Sequence, residues 1–293
     1  MRVFVTGASG FIGSAVAAEL IGAGHQVLGL ARSAASAETL TASGVEAHRG
    51  ALDDIASLRE GAATADGVIH LAYNHDFSDY AGAAETDRRA IEALGEALSG
   101  SDRPLIVAAG LAGAPPGRVM TEADDLDPGM PRLSEATALA LPERGVRASV
   151  VRLPPTVHGE GDHGFVPRLI EIARDKGVSA YPGDGSNRWP AVHRLDAAIV
   201  FRQVLETAPV GARLHAVDEE GIPTREIANV IGTHLKLPVH SVPVDQAFDH
   251  FGWLGAFFSM DIAASSALTR SQLDWKPTGP PLLDDLNAGH YFA

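Results

Sequence analysis

The sequence contains no cysteine, which excludes three kinds of chemistry at once. Disulfide bonds, thiolate metal sites and cysteine nucleophiles all need a residue that the chain does not have. Lysine is also scarce, occurring only at Lys176, Lys236 and Lys276. None of these lysines follows a tyrosine by four positions, so a tyrosine–lysine pair at helical spacing is absent as well.

Long apolar runs are missing too. No stretch approaches the ~18–20 apolar residues that a membrane span needs, and the N-terminal MRVFVTG leads directly into a strand-like segment. The formal net charge of −14 repels phosphate backbones and anionic lipid. We therefore expect a soluble, cytoplasmic protein without nucleic-acid or membrane partners, and 293 residues are ample for a continuous core.

What the chain does contain is a regular alternation of β-rich and helical segments. Strands are predicted at Arg2–Thr6, Gln26–Ala31, Val45–Arg49, Gly67–Ala72, Pro104–Ala109 and Ala148–Leu153. Helices are predicted at Phe11–Gly24, Ser36–Ser43, Asp54–Ala62, Glu85–Leu98 and Glu135–Arg144. This rhythm predicts an α/β fold with a doubly wound parallel sheet of the Rossmann type and right-handed crossovers.

The character of the chain changes after Pro154, where prolines, glycines, histidines and tryptophans become frequent. We predict a Rossmann domain over residues 1–153 and mainly a smaller substrate-binding lobe over 154–293, with core segments returning near 190–220. Such a lobe would cover the carboxyl edge of the sheet, where open α/β sheets bind ligands. The aromatic run Phe248–Phe258 is interpreted as a core helix or as a lid over the pocket.

A glycine loop lies between the first strand and the first helix. Gly7 permits a tight turn, Gly10 lets the backbone approach a pyrophosphate, and Gly13 lets the helix pack closely on the sheet. The N–H groups and the positive dipole end of the helix then face the phosphates. Because this triplet opens a βαβ unit, it predicts a dinucleotide site.

The end of the second strand indicates which dinucleotide is bound. An NAD-binding fold places an acidic residue there for the ribose 2′-hydroxyl, whereas this chain has Arg32 and Ser33. A guanidinium suits a 2′-phosphate, and the serine adds a hydroxyl donor. The sequence therefore favours NADP(H) over NAD.

The spacing of the three glycines resembles the short-chain dehydrogenase/reductase superfamily, and later segments resemble its extended, epimerase/dehydratase-like branch. These segments run along nearly the whole chain: Gly50–Asp54 (GALDD), Val68–Ala72 (VIHLA), Val151–Gly159 (VRLPPTVHG), Val192–Ala198 (VHRLDAA) and Leu273–Pro277 (LDWKP). The resemblance implies a small organic substrate and a homodimer that pairs the helices at Glu85–Leu98 and Ser134–Arg144.

By the same resemblance, further residues would hold the cofactor. Ala51 and Leu52 would flank the adenine, Leu71 and Ala72 would lie beside the nicotinamide ribose, and the segment after Leu153 would lie under the nicotinamide. The candidate cofactor-binding residues are Gly7, Ser9, Gly10, Phe11, Ile12, Gly13, Arg32, Ser33, Ala51, Leu52, Leu71, Ala72, Pro154 and Pro155.

The chain departs from the family at the usual reaction centre. Members carry Tyr-x-x-x-Lys before the sixth strand, where this chain has Pro131 and Glu135, and the family's serine falls near Ala109 or Gly110. Proline has no proton to give, and a carboxylate would raise rather than lower the pKa of a nearby phenol. The ordinary alcohol–ketone mechanism therefore cannot be carried over.

Three explanations remain open for the chemistry. A substitute proton donor is one, with Tyr73 and His158 as candidates, although either could line the pocket or serve the core. A substrate that needs little help, such as a quinone or an iminium ion attracted by Glu135, is another. The third is a non-catalytic NADP sensor. We predict an NADPH-dependent reductase without the usual dyad, the alternatives being the sensor and an epimerase or dehydratase with a substitute acid–base.

Other polar and aromatic candidates have simpler interpretations. His70 lies among apolar neighbours and is interpreted as a hydrogen-bonded core residue. His158 and His163 flank Asp162 in a glycine-rich loop that aligns with a family segment, so no metal site is predicted there. Trp189 could stack on a flat substrate or pack between lobes.

Overall fold

The computed structural model describes residues 1–74, 79–111, 117–126, 129, 132–207 and 209–293. The strands are β1 (Arg2–Thr6), β2 (Gln26–Ala31), β3 (Glu46–Arg49), β4 (Gly67–His70), β5 (Pro104–Gly110), β6 (Val119–Met120), β7 (Arg147–Leu153), β8 (Thr156–His158), β9 (Ser179–Pro182), β10 (Arg188–His193), β11 (Arg213–His215), β12 (Glu219–Pro223), β13 (Val239–Val242) and β14 (Ala263–Ala264). The helices are α1 (Phe11–Gly22), α2 (Ala34–Ala42), α3 (Ile55–Ala63), α4 (Tyr80–Leu98), α5 (Ser134–Ala140), α6 (Phe165–Lys176), α7 (Arg194–Thr207), α8 (Thr224–Leu235), α9 (Ala247–Phe251), α10 (Leu254–Phe258), α11 (Ala267–Leu273) and α12 (Leu282–Asn287).

The central element of the fold is a seven-stranded sheet with the order β11-β7-β5-β4-β1-β2-β3. Every neighbouring pair in it is parallel. From β1 the chain moves outward to β2 and β3, then returns to β4 on the other side of β1. The predicted Rossmann-type fold is confirmed, and the switch point of the sheet, where such folds bind ligands, lies between β1 and β4.

Both faces of the sheet are buried, which explains the nearly continuous apolar runs in its strands. Val3 and Val5 of β1 point to a core shared with α1 and α7, whereas Phe4 points to a core shared with α3, α4 and α5. Each fully buried side chain of this size contributes ~1.5–3 kcal/mol to the stability of the sheet. The two cores fix the carboxyl ends of β1 and β4 relative to each other.

Two helices begin earlier than the sequence predicts, because residues before them act as N-caps. Ser33 accepts a hydrogen bond from the backbone N–H of Ser36, so α2 begins at Ala34 rather than at Ser36. Asp79 accepts in the same way from the N–H of Gly82, so α4 begins well before Glu85.

Two predicted helices are shorter than expected. The helix predicted over Glu135–Arg144 ends at Ala140, because Pro142 cannot continue the helical hydrogen bonds, and a short 3₁₀ helix follows. The run Phe248–Phe258 forms α9 and α10, which are separated at Gly252, where φ is +61°.

The elements after β7, apart from β11 and the helices α7 and α11 that pack with it, gather around small sheets, and we call this part the second lobe. β12, β10 and β8 form one of these, and β13 pairs with β9 in another. Trp189 is fully buried in the core of this lobe, 5.0 Å from the Phe258 ring, so it packs rather than stacking on a substrate. Phe251 and Phe258 share that core, as the core interpretation of their segment expects. The domain boundary after residue 153 stays a prediction.

The described ranges contain no helix that combines the length and the apolar character needed to cross a bilayer.

Candidate active site

The glycine loop lies at the switch point, in direct contact with the end of β4. Gly7 has a φ of +73°, and a Cβ there would lie 2.8 Å from the backbone nitrogen of Ala72. A Cβ on Gly13 would lie 1.9 Å from the carbonyl oxygen of Gly7. Only glycine fits at either position, so the loop is a bare backbone cradle. Such a cradle is what the close approach of a pyrophosphate requires, and these residues therefore fit a dinucleotide.

Helix α1 presents the N–H groups of its first turn to this cradle. Its N-cap is Gly10, which has no side chain to occupy them, and the N–H of Gly10 donates to the carbonyl of Gly7 at 2.9 Å. The guanidinium carbon of Arg194 lies 5.1 Å from the centroid of the Phe11 ring, and the His163 ring meets that ring edge-on at 5.8 Å. A cation and the start of a helix thus meet at one point, which suits an anionic group.

Two arginines lie at the neighbouring ends of β2 and β3. Arg32 follows β2 directly and is exposed, and Ser33 beside it uses its hydroxyl as the N-cap of α2. Arg49, at the end of β3, is also exposed and lies opposite Ala31 in the strand register. The sequence predicts a cofactor contact for Arg32 but not for Arg49, whose place beside it depends on the pairing of β2 with β3.

The other predicted cofactor residues lie at the same edge of the sheet. Ala51 and Leu52 follow β3, where the Gly50 N–H donates to the Ala31 carbonyl at 3.1 Å. Pro154 and Pro155 follow β7. Their roles in binding stay predictions, but the fold brings them to the edge that holds the glycine loop.

A chain of buried hydrogen bonds begins at Thr6. Its hydroxyl oxygen accepts from the N–H groups of Leu71 and Ala72, each at 3.2 Å, and lies 2.8 Å from Nδ1 of His70. Nε2 of His70 lies 3.0 Å from a carboxylate oxygen of Asp87. The interpretation of His70 as a hydrogen-bonded core residue is confirmed, because its side chain is buried and both ring nitrogens have partners.

The chain continues from Asp87 to the head of α5. The Ser134 hydroxyl donates to the second Asp87 oxygen at 2.6 Å, and Nε of Arg132 donates to the Ser134 hydroxyl at 2.9 Å. Burial raises the pKa of the Asp87 carboxyl, but the hydrogen bonds from His70 and Ser134 and the charge of Arg132 outweigh it, so the net pKa is lowered. Asp87 is therefore a buried carboxylate that holds its neighbours by charge-assisted bonds.

Arg132 and Tyr73 meet at the end of this chain. The guanidinium carbon lies 4.3 Å from the centroid of the Tyr73 ring, a cation–π contact, and Nη2 donates to the Ala108 carbonyl at 3.2 Å. Burial and the neighbouring Tyr80 raise the pKa of the Tyr73 phenol to about 12, although Arg132 opposes the shift. Tyr73 thus keeps its proton throughout the neutral range.

Gly110, one of the two candidates for the serine position of the family pattern, lies beside the same guanidinium. A Cβ built on Gly110 would lie 3.6 Å from Nη1 of Arg132. Pro131, which replaces the family's tyrosine in the sequence pattern, lies outside the described residues. The candidate site at this edge therefore combines Tyr73, which the sequence predicted, with Arg132, which it did not.

Glu135 forms ion pairs within the protein. Its two carboxylate oxygens accept from Nε and Nη2 of Arg152 at 2.6 and 2.5 Å, and Nε of Arg213 lies 3.3 Å away. The Arg152 side chain is fully buried. A bidentate pair in a buried setting is a strong, directional contact. A role of Glu135 toward a substrate stays a prediction, but its charge is already balanced by two arginines.

His158 lies in a buried cluster of the second lobe. Its Nδ1 lies 2.8 Å from a carboxylate oxygen of Asp285, and its ring meets the His193 ring edge-on at 5.4 Å. His163, by contrast, lies against Phe11, so the two histidines of the glycine-rich loop have different partners. The role of His158 as a proton donor stays a prediction. Its contacts give it a packing function between β8 and α12.

The cluster predicts how stability depends on pH. Burial lowers the pKa of His158, which outweighs the opposing effect of Asp285. Above the ordinary value of 6.5 the imidazole is neutral in both states and adds nothing. Below it the unfolded chain takes up a proton that the folded chain refuses, so the free energy of unfolding falls as the pH falls.

Thermal unfolding between about pH 8 and pH 5.5 tests this expectation. The fall in melting temperature should be shallower in His158→Gln than in the unmodified protein. His240→Gln, at an exposed position, should match the unmodified protein. Equal slopes for both variants would contradict the assignment.

Comparison with known proteins gives a consistent result. The model of the NAD dependent epimerase/dehydratase family matches residues 3–97. An uncharacterized protein of Schizosaccharomyces pombe is 51% identical over 295 residues, with 100% of both chains covered. The 2-alkyl-3-oxoalkanoate reductase of Stenotrophomonas maltophilia is 29% identical over 248 residues, which are 78% of this chain and 74% of that protein.

A solved structure shares the fold. DesIV, a dTDP-glucose 4,6-dehydratase from Streptomyces venezuelae with NAD and TYD bound, superposes with a TM-score of 0.80 at 19% identity. The superposition covers 99% of this chain and 96% of DesIV. Residues 3–97 therefore belong to the NAD dependent epimerase/dehydratase family, as the sequence motifs predicted, and the whole chain shares the fold of a dehydratase.

Proposed function

We propose that the protein is an NADP(H)-dependent reductase that acts on a small carbonyl compound beside Tyr73 and Arg132. One observation carries the proposal. A protonated phenol and a guanidinium lie in contact at the carboxyl edge of the sheet, next to the Gly7–Ala72 cradle. A proton donor and a cation are what a carbonyl oxygen needs as it gains negative charge.

The cofactor would be held by residues at the same edge. Gly7, Gly10 and Gly13 would hold the pyrophosphate against the start of α1, with Arg194 on its far side. Arg32 would take the 2′-phosphate, and Leu71 and Ala72 would line the ribose. When bound, the reduced nicotinamide supplies a hydride. The NAD that is bound in DesIV supports a dinucleotide at this point of the fold.

The choice between NADP(H) and NAD(H) has a direct test. Arg32→Ala is expected to weaken NADPH binding by about ten- to a hundredfold, since a charge-assisted contact with a phosphate is lost. NADH, which has no 2′-phosphate, should bind the variant and the unmodified protein alike. Fluorescence titration with both cofactors measures this. Equal affinities of the unmodified protein for NADPH and NADH would contradict the proposed preference.

The state of Tyr73 supports reduction rather than the reverse reaction. A phenol with a pKa of about 12 can give its proton to an alkoxide, which is a much stronger base. It is a poor acceptor of a proton from an alcohol near neutral pH. Epimerases and dehydratases need a base as well as an acid, so the same property argues against those alternatives.

The charge of the site supports a neutral or anionic acceptor. Arg132 is the cation that meets Tyr73, whereas the carboxylate of Glu135 is balanced by Arg152 and Arg213. The attraction of a cationic iminium ion by Glu135 therefore has no support in the geometry. The reductase of Stenotrophomonas maltophilia is named for an oxo acid, which agrees with a keto acceptor.

The test is an acceptor panel. The protein is mixed with NADPH and with ketones, 3-oxo acids, quinones and a cyclic imine, and loss of nicotinamide absorbance is followed. We expect turnover of at least one keto compound, and Tyr73→Phe should lower its rate by about 10²–10⁴-fold with NADPH affinity unchanged. Tight NADPH binding without turnover of any acceptor would reject the reductase and favour an NADP sensor.

A further inference from the structure

Within the described ranges, no carboxylate forms an ion pair with Arg132 at this edge of the sheet. Nε donates to the Ser134 hydroxyl at 2.9 Å and Nη2 to the Ala108 carbonyl at 3.2 Å, and the guanidinium group lies over the Tyr73 ring. Nη1 lies beside the end of β5, 3.6 Å from the point where Gly110 would carry a Cβ. Among the described residues, none forms a hydrogen bond with Nη1. The absence of a side chain at Gly110 leaves room next to it.

We infer that Arg132 is the electrophilic residue of this site, and that its Nη1 group binds the substrate oxygen that becomes negative. The inference rests on the proposed function and deepens it. In this chain an arginine would stabilise the negative charge on the substrate oxygen, a role for which the family uses lysine and serine. We also assign Ser134, Asp87 and His70 as positioning residues, which act through Arg132 and do not touch the substrate.

The positioning chain explains why the guanidinium is held in place and is still available to a substrate. Asp87 supplies a buried negative charge, but it reaches Arg132 through the Ser134 hydroxyl rather than by a direct ion pair. Arg132 is thereby held in one orientation by its Nε and Nη2 groups, while Nη1 keeps its donors. His70 holds the other side of Asp87, and Thr6 links His70 to the backbone of Leu71 and Ala72.

The reaction step balances with these groups. The carbonyl carbon accepts a hydride from NADPH, and the π electrons of the C=O bond move to oxygen beside Nη1 of Arg132. The oxygen then takes the phenol proton of Tyr73, and the phenolate is reprotonated by solvent. A ketone is reduced to an alcohol, NADPH is oxidised to NADP⁺, and one proton is consumed.

The substrate class follows from the charge of the site. A fixed cation stabilises an oxygen that gains negative charge and repels a substrate that is already positive. A neighbouring carboxylate on the substrate can share the guanidinium fork, since arginine binds paired oxygens well. We therefore expect oxo acids and neutral ketones as substrates, and rejection of iminium ions.

The first arm of the test measures turnover. Arg132→Met is expected to lower kcat/KM for the best keto acceptor by about 10²–10³-fold, with the dissociation constant of NADPH unchanged. Millimolar guanidinium should restore part of the rate in Arg132→Ala. Arg168→Met, at an exposed arginine on α6, is the matched control and should match the unmodified protein. A change of less than about twofold in Arg132→Met would overturn the inference.

The second arm does not depend on turnover. Calorimetry measures the binding of acetoacetate to the NADP⁺ complex, in which the ketone cannot be reduced. Arg132→Met should weaken it by about tenfold or more. The protein could turn over no acceptor while Arg132→Met still weakens acetoacetate binding. That result would reject the proposed reductase function but support the substrate-binding role of Arg132. If Arg132→Met binds acetoacetate as tightly as the unmodified protein does, the inference is wrong.

The positioning residues need a readout that a purely structural role would not change. Asp87→Asn should lower kcat and leave KM for NADPH unchanged, because the cation is misplaced rather than lost. Added guanidinium should still restore part of the rate when Arg132→Ala is combined with Asp87→Asn. Ser134→Ala should have a smaller effect in the same direction. If the two variants differ from the unmodified protein only in melting temperature, the positioning role is wrong.

Discussion

Replacing Glu135 with glutamine is expected to lower the free energy of unfolding by about 3–5 kcal/mol, and the melting temperature by on the order of 10 °C. The reason is the partner that remains. Arg152 is fully buried, and two of its nitrogens donate to the carboxylate at 2.5–2.6 Å. Without that negative charge the guanidinium is a buried, uncompensated cation, which costs far more than the pair contributes.

Thermal and chemical denaturation measure this effect. Glu143→Gln, at an exposed position shortly after the same helix, should stay within about 0.5 kcal/mol of the unmodified protein. A double variant, Glu135→Leu with Arg152→Met, should recover much of the loss, because both charges are then removed. If Glu135→Gln unfolds like the unmodified protein but loses turnover, Glu135 acts on the substrate and its structural role is wrong.

Gly13→Ala is expected to weaken NADPH binding at least tenfold, and by up to about a hundredfold. The added methyl group would lie 1.9 Å from the Gly7 carbonyl oxygen, a distance that only movement of the backbone can relieve. Such movement shifts the loop and the start of α1 together, and overpacking of this kind costs about 1–3 kcal/mol of stability as well.

Helix α1 offers its own control. A Cβ on Gly22, at the end of the helix, would have no atom within 4 Å of it, so Gly22→Ala should leave NADPH affinity unchanged. Its stability should be equal or slightly higher, since alanine favours helix over glycine. Titration by fluorescence and melting temperature compare the two variants. Equal NADPH affinities in Gly13→Ala and Gly22→Ala would mean that the cradle does not hold the cofactor.

Much of the fold could be predicted because its signals are local. The strands of the parallel sheet are continuous apolar runs, and the predicted bounds of β1 and β2 match the structure without a shift. The glycine loop could be predicted because a side chain at Gly7 or Gly13 would clash with the backbone nearby. Helix boundaries were less reliable, because Ser33 and Asp79 act as caps through contacts that composition and periodicity do not show.

The site could be predicted only where its residues follow a strand directly. Tyr73 was selected as a candidate in this way, because it lies shortly after β4 at the switch point. Glu135 attracted attention as a departure from a family pattern, but its balancing partner Arg152 lies on a different element, β7. His158 contacts Asp285, which is 127 residues away. Long-range pairs of this kind are set by packing, and a single sequence carries no local signal for them.

Arg132 is a second residue whose place could not be predicted from the local sequence. It stands next to Pro131 in the stretch where the tyrosine is missing, and the position alone gave no reason to select it. Its direction follows from Ser134 and from the carbonyl of Ala108 on β5. Arg132 could have been selected because it is a cation in the stretch where the tyrosine and lysine are missing. If reduction is to continue, another positive charge must replace the lost lysine.

Hydride transfer itself is the most direct test of the proposed reductase activity. The protein is incubated with a keto acceptor and NADPH that carries deuterium at the transferable position, and the product is examined by mass spectrometry. We expect an alcohol with one deuterium on the former carbonyl carbon, formed in equal amount to NADP⁺, and a much lower yield of it with Arg132→Met. Saturating NADPH binding with no deuterium in any product would contradict the proposed activity.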